Sequence, residues 1–264
     1  LTDMLFEYGV RINDDNVMDL NAGAYPVVVG NVGDQPQIRP MPWPYFPLIN
    51  NFGNHPITRN LNAVYTQFVS TIDTVKAEGV KKTPLMFTSP YSKVKTAPYP
   101  VSLNQIREGF EPESFNAGPF TVGYLLEGRF TSVFKNRILP AMADKSGFLP
   151  DGEASKMIVI ADGDLAISLQ NPQTGEPVPL GFDPITEQQF ANPDLLMNAV
   201  AYLIDDDGLI TARNKEIKIR PLDQVKVQEE KLKWQVINLA LPMVVLILFG
   251  VLKYIIRKRK YGTS

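Results

Sequence analysis

Residues 60–75 read NLNAVYTQFVSTIDTV, with Leu61, Val64, Phe68, Ile72 and Val75 recurring three or four positions apart. That spacing places them on one side of a 3.6-residue period, so the stretch is expected to form an amphipathic helix. Its reading decides the fold because of its neighbours. AYPVVVG (24–30) lies before it, and TPLMFTS (83–89), FTVGYLLEG (120–128) and KMIVIADGD (156–164) follow. Each is a short apolar run bounded by turn residues, and each is expected to be a buried strand. Two further helices are read at the ends of this region. Leu1, Met4, Leu5 and Tyr8 fall at helical spacing before Gly9. ANPDLLMNAVAYLIDDDG (191–208) opens with Asn192 as a cap and Pro193 at the first helical position. Leu196, Val200, Leu203 and Ile204 then share one face, and Gly208 is the stop. Strands alternating with helices predict an α/β fold, a largely parallel sheet flanked by helices.

Two stretches stand outside that alternation. RPMPWPYFPLINNFGNHP (39–56) holds Pro40, Pro42, Pro44, Pro47 and Pro56, which exclude a helix and suggest an ordered, aromatic-rich excursion. TSPYSKVKTAPYPVSLNQIREGFEPESFNAGP (88–119) reads as a long surface loop, and a break between two subdomains is expected near 90–119.

The C-terminal region is of another kind. Val236 to Leu252 carries no charge and only Asn238 as a clearly polar side chain, with Trp234, Lys253, Tyr254 and Arg257 at its ends. Length and flanks predict a membrane-spanning helix over 234–256. Pro242 is compatible with a span, because neighbouring helices can satisfy the carbonyl it frees. Lys218, Arg220, Lys226, Lys231 and Lys233 precede the span, while Lys253, Arg257, Lys258, Arg259 and Lys260 crowd its far end. The denser cluster directs residues 257–264 to the cytoplasm as a basic tail. Residues 1–222 then form a periplasmic region, joined to the span by a juxtamembrane linker over 223–233. Leu1 is not an initiator Met, so an export signal or earlier span is expected upstream. Asn238 is expected to face a partner helix, the alternative being that, four residues from Trp234, it reaches interfacial water.

Composition removes several classes of function. A net charge of −2 argues against nucleic acid as a partner, since that binding draws on a basic face. With no cysteine, the chain has no disulfide, thiol nucleophile or thiolate metal site. His55 is the single histidine and lies in a proline-rich stretch, where capping a turn is the simplest role. No G-x-S-x-G, Walker A or G-x-G-x-x-G pattern is present. The remaining candidates are acidic. Asp162 and Asp164 follow an apolar strand, where open α/β sheets bind ligands and where an Asp-Gly turn satisfies its own backbone. Glu127 and Arg129 suggest a charged pair or an interaction patch at a strand end. Asp205, Asp206 and Asp207 fail the spacing of a calcium loop and read as a solvated helix end. No metal or cofactor is expected.

Several separated stretches carry a family resemblance: LTDMLFEYGVRIN, PWPYFPL, NHPITRNL, LLEGRFTSVF, VIADGDL, NPDLLMNAVAYLIDDDGLITARNKEIKIRPLD and the C-terminal span. Together they resemble the C-terminal part of the GldG family, gliding-associated auxiliary components of bacterial ABC transport systems. The resemblance implies an inner-membrane protein working beside a GldF-like permease and, through it, a GldA-like ATPase. It also implies a glutamine-amidotransferase-like α/β domain, whose Cys nucleophile this chain lacks. The expectation is therefore a non-enzymatic, membrane-anchored accessory subunit. The alternatives are a membrane-anchored hydrolase or metal-dependent enzyme using the acidic residues, and a periplasmic solute-binding module.

Overall fold

The computed structural model describes residues 1–135, 137, 148–170, 174–205 and 224–262. The chain divides into two compact units, Leu1–Lys215 and Glu216–Ser264.

The first unit is organised by residues 60–75, and they are not a helix. Val64–Tyr65 (β6) pairs with Leu48–Ile49 at the end of a long strand, Gln35–Ile49 (β4). Ile72–Thr74 (β7) pairs with Val10–Ile12 (β1). Between them the backbone N–H groups leave the segment. Those of Thr66, Phe68 and Ser70 donate to the carbonyls of Pro47, Tyr45 and Ala161 at 3.2, 2.8 and 3.0 Å. Asn60 and Phe68 adopt positive φ, which a helix forbids. The density of Val64, Thr66, Val69, Thr71, Ile72 and Thr74 favours this extended course, since branched side chains suit a pleated surface.

The main sheet joins Asp151–Ile160 (β11), Thr121–Thr131 (β10), Val80–Phe87 (β8) and Asn51–Phe52 (β5), in that order. Every strand pair among the described residues is antiparallel. The largely parallel α/β sheet flanked by helices is thus overturned, and with it the amidotransferase-like fold that the resemblance implied. The apolar runs were real, but their cause differs. Two cores clasp the sheet. Leu85, Met86, Val122 and Leu125 share one core with Leu195 and Ala199, while Leu126 and Val159 share the other with Leu5, Val10 and Ile72. A strand covered on both faces reads as a continuous apolar run whichever way its neighbours point. Gly128 lies against β8 at φ +146°, where a Cβ would collide with the carbonyl oxygen of Gly79.

The proline-rich excursion is itself a strand. Ala22–Val32 (β3) and β4 form a long hairpin, closed by a two-residue turn between Val32 and Gln35. Gly33, at φ +63°, supplies the positive angle at the first turn position. The hairpin base rests on a third core of Met18, Trp43, Tyr45, Phe46, Ile106 and Phe115. AYPVVVG was expected to be buried, but only Val27 is; Val28 and Val29 are exposed on the arm.

Residues 88–119 are partly ordered by Ser92–Thr96 (β9), which pairs with Asp15–Asp19 (β2), and by the short helix Asn104–Glu108. Ile106 and Phe115 are buried, so this stretch contributes to a core as well as to the surface. The helix Asn192–Leu203 (α3) covers the main sheet with Leu195 and Ala199. Its buried face is therefore not the expected one: Val200 and Ile204 are 54% and 76% exposed.

In the second unit, one helix runs from Gln224 to Tyr261 with Pro242 inside it. Within it, the 25 residues Lys233–Arg257 are long and apolar enough to cross a membrane.

Candidate functional site

Two of the acidic candidates belong to the main sheet, Asp162 just past the end of β11 and Glu127 within β10, opposite Lys156. At the end of β11 the chain turns through Ala161, Asp162, Gly163 and Asp164. Asp162 Oδ1 accepts the N–H of Asp164 at 2.7 Å and of Leu165 at 3.2 Å, and Oδ2 accepts the N–H of Gln67 at 2.9 Å. The first two bonds close the turn locally, while the third fastens it to the segment once read as a helix. Burial pushes the Asp162 carboxyl up to about 6, the three backbone donors opposing and the Asp164 charge reinforcing the rise.

Beside this turn, Tyr65, Gln67, Asp164, Ile167, Phe182 and Asn192 help to line a crevice of about 70 Å3. Asn192 was expected to cap α3. Instead its buried amide behaves as a piece of extra strand against β6. Its Oδ1 accepts the Tyr65 N–H at 2.9 Å, and its Nδ2 donates to the carbonyls of Tyr65 at 2.8 Å and Leu165 at 3.2 Å. The same fastening recurs at Asp19, which is fully buried: it accepts the Ser89 N–H at 2.7 Å, the Ser89 hydroxyl at 2.6 Å and the Asn21 N–H at 2.8 Å.

The second group gathers around Tyr202 near the end of α3. The Tyr202 hydroxyl donates to Glu127 Oε1 at 2.7 Å, and Lys81 approaches Glu127 Oε2 at 3.6 Å. Lys156 lies 4.8 Å from the centre of the Tyr202 ring and donates to the Asp205 carbonyl at 2.8 Å. The His55 ring meets Tyr202 edge-on at 4.7 Å, and its Nδ1 accepts the Ile57 N–H at 3.3 Å. Burial, then the neighbouring carboxylate, push the Tyr202 hydroxyl up to about 12, and burial holds His55 below its ordinary value. The expected pairing of Glu127 with Arg129 does not form. Glu127 turns to Lys81 and Tyr202, while Arg129 is exposed with no ion pair among the described residues. Asp206 and Asp207 lie outside the described residues; Asp205 is described and serves through its carbonyl. Asn238 is exposed on the C-terminal helix.

Among the described residues, no three His, Cys, Asp or Glu side chains are grouped to hold a metal ion. The polar geometry is that of fastening: carboxylates and one amide hold backbone N–H groups of distant segments. A larger cavity lies elsewhere, about 670 Å3 beside Leu1, Leu5, Arg11, Asn13 and Asp14.

The model of a family described as an ABC-type uncharacterized transport system matches residues 1–199. The chain belongs to that family. Comparison with curated proteins and with solved structures gives no significant match. As an auxiliary component of an ABC-type transport system, the chain associates by its family's nature with transporter components. The matched stretch includes every strand described above and α3 as far as Ala199, and stops before Tyr202. In this auxiliary component the Asp162 turn was legible from its Asp-Gly sequence. The roles of Asn192, Asp19 and Tyr202 were not, because their partners lie far along the chain. The one available signal was Tyr202 itself, a polar-tipped aromatic on a helix that is otherwise apolar around it.

Proposed function

We propose that this chain is a GldG-like, non-enzymatic accessory subunit of an ABC transport system serving gliding motility or secretion. The observation that carries the reading is the family match over residues 1–199. In this reading residues 1–222 stand in the periplasm, 223–233 lead into the membrane, 234–256 cross the bacterial inner membrane, and 257–264 form a cytoplasmic basic tail. The apolar stretch Lys233–Arg257 supports the anchor: its 25 residues extend about 37 Å, more than the roughly 30 Å of hydrocarbon. The partners are a GldF-like permease and, through it, a GldA-like ATPase. A non-catalytic role is supported by the engagement of Asp162, Asp19 and Glu127 in internal bonds. Purification of the full chain from native membranes, with identification of its companions, tests the reading. Recovery of a permease and an ATPase is expected; their absence under conditions that preserve other transporter complexes overturns it. A reporter active only in the cytoplasm, fused after Ser264, tests orientation and is expected to work.

The cavity beside Leu5 and Arg11 favours one second reading, a solute-binding module. Its volume of about 670 Å3 falls within the range of small-molecule sites, and Arg11, Asn13 and Asp14 supply polar groups. A thermal-shift screen of the full chain against polar metabolites separates the two, since a ligand bound only by the folded state raises the melting temperature.

A further inference from the structure

The hairpin arm of β3 and β4 has two unlike faces. Tyr25, Val27 and Met41 face the aromatic core. Residues two apart on a strand share a face, and Pro26 and Val28 stand opposite Pro40 and Ile38. The other face therefore presents Pro26, Val28, Pro36, Ile38, Pro40 and Pro42. All six are exposed, Ile38 and Val28 by 58% and 42%, and none is charged.

The edges of this arm are closed to a further strand. Pro26 and Pro40 have no N–H to exchange, so their cross-strand pair is one without hydrogen bonds, and the polar groups of these positions point outward. Val28 and Ile38, two residues on, point their backbone groups the same way, and the Val28 carbonyl already accepts Arg107 Nη2 at 2.9 Å. A strand laid along the β4 edge would meet prolines where it needs donors, and one along the β3 edge would meet Pro26 and the occupied Val28 carbonyl. Recognition is left to the side chains of the exposed face.

What covers that face follows from its size and charge. Six residues on two strands make a surface of roughly 200 Å2, whereas a stable interface between free proteins needs about 800 Å2 from each partner. The face is too small to hold a second free copy, but it suffices for a partner kept alongside by another attachment, where effective concentration replaces area. The family supplies such a partner, a transporter component. An uncharged strip excludes a charged counterpart, which would be stripped of water without compensation. We infer that this proline-bordered face of the arm docks on an uncharged apolar patch of the transporter's membrane subunit; the inference rests on the accessory-subunit reading above.

The chain has no cysteine, so Ile38→Cys introduces a single thiol. Full-length protein carrying it, labelled with benzophenone-maleimide in native membranes, is expected to photo-crosslink to the transporter's membrane subunit. Glu78→Cys, exposed and outside the arm, is expected not to. The double variant Val28→Glu, Ile38→Lys replaces an apolar cross-strand pair by opposite charges that preserve the hairpin. It is expected to recover about tenfold less membrane subunit at equal abundance and melting temperature. Crosslinks only to a second copy, or only to lipid, overturn the inference in favour of self-association or a membrane surface. Undiminished copurification of the double variant, with no crosslink from Ile38→Cys, places docking elsewhere while leaving the accessory role intact. Should the double variant fold poorly, the crosslinking result decides alone. If the unaltered chain recovers no transporter subunit, the accessory reading fails and this inference falls with it.

Discussion

β10 and β4 are both long, apolar strands, yet they carry their apolar residues in opposite ways. β10 lies between two strands and two cores: Leu125 is buried on one side of it and Leu126 on the other. Over its outer half, β4 pairs only with β3. There only Met41 meets the aromatic core, Gln35, Gln37 and Arg39 on the same face are exposed, and the other face presents Pro36, Ile38, Pro40 and Pro42 to solvent. The difference teaches what each strand is for. A strand buried on both sides is a piece of framework, where every side chain bears on stability. A strand covered only towards its base and stiffened by proline is a projection whose free face costs the fold little and is available to a partner.

The largest expected effect lies in the framework. Leu125→Ala and Leu126→Ala should each destabilise the first unit by about 2–5 kcal/mol, read from denaturant unfolding of the full protein, because each leaves a cavity in a closed core. A loss below about 1 kcal/mol at either position would break the comparison, by showing that one face of β10 is not sealed.

Next comes the buried amide. Asn192→Ala strands the Tyr65 N–H and two carbonyls without their partner, and about 1–3 kcal/mol should be lost. An unaltered melting temperature would mean that water replaces the side chain and that β6 is held by β4 alone.

A smaller effect concerns pH, and two groups act with opposite signs. Asp162 is raised from 3.8 to about 6. The folded state therefore binds its proton more tightly than the unfolded chain, and stability should fall as pH rises from about 4 to 6. His55 is held below its ordinary 6.5 by burial, so the unfolded chain takes up the proton first and stability should fall as pH drops below 6.5. Asp162→Asn should remove the first slope and His55→Phe the second, each measured as melting temperature against pH. A profile that Asp162→Asn leaves unchanged would show that the three backbone donors fully offset burial at that carboxyl.

The smallest change sharpens the contrast. Ile38→Ala, on the open face of the arm, should shift stability by no more than about 0.5 kcal/mol. A greater cost would show that the face is already covered within this chain.

Much of the local structure was legible. The apolar runs of β8, β10 and β11 announced strands, Gly9 announced the end of the first helix, observed over Thr2–Glu7, and the Asp-Gly sequence after β11 announced a turn. Errors arose where one pattern fits two structures. Leu61, Val64, Phe68 and Ile72 satisfy a helical period, but in space they serve different cores, and the branched residues between them were the better signal. On α3, residues apolar on nearly every side concealed which face is buried. The prolines of β4 were read as breakers. The spacing of Pro40 and Pro42 by two is what permits the outer strand, because it turns each missing N–H to the edge away from β3.

The candidate site divides along the same line. Asp162 meets Asp164 and Leu165 within three residues, a contact that an Asp-Gly turn foretells. Its bond to Gln67 spans 95 residues, the Glu127–Tyr202 bond spans 75, and the Asn192–Tyr65 bonds span 127. The sequence alone sufficed for the apolar, extended runs of β8, β10 and β11, for the turn at Asp162 and Gly163, for the absence of thiol chemistry, and for a stretch, Lys233–Arg257, that can cross a membrane. Only the tertiary structure decided the direction of the strands, the buried face of α3 and the partners of each carboxylate. Apolar spacing records that a residue leaves water, whereas direction and partnership depend on which distant segment closes over it.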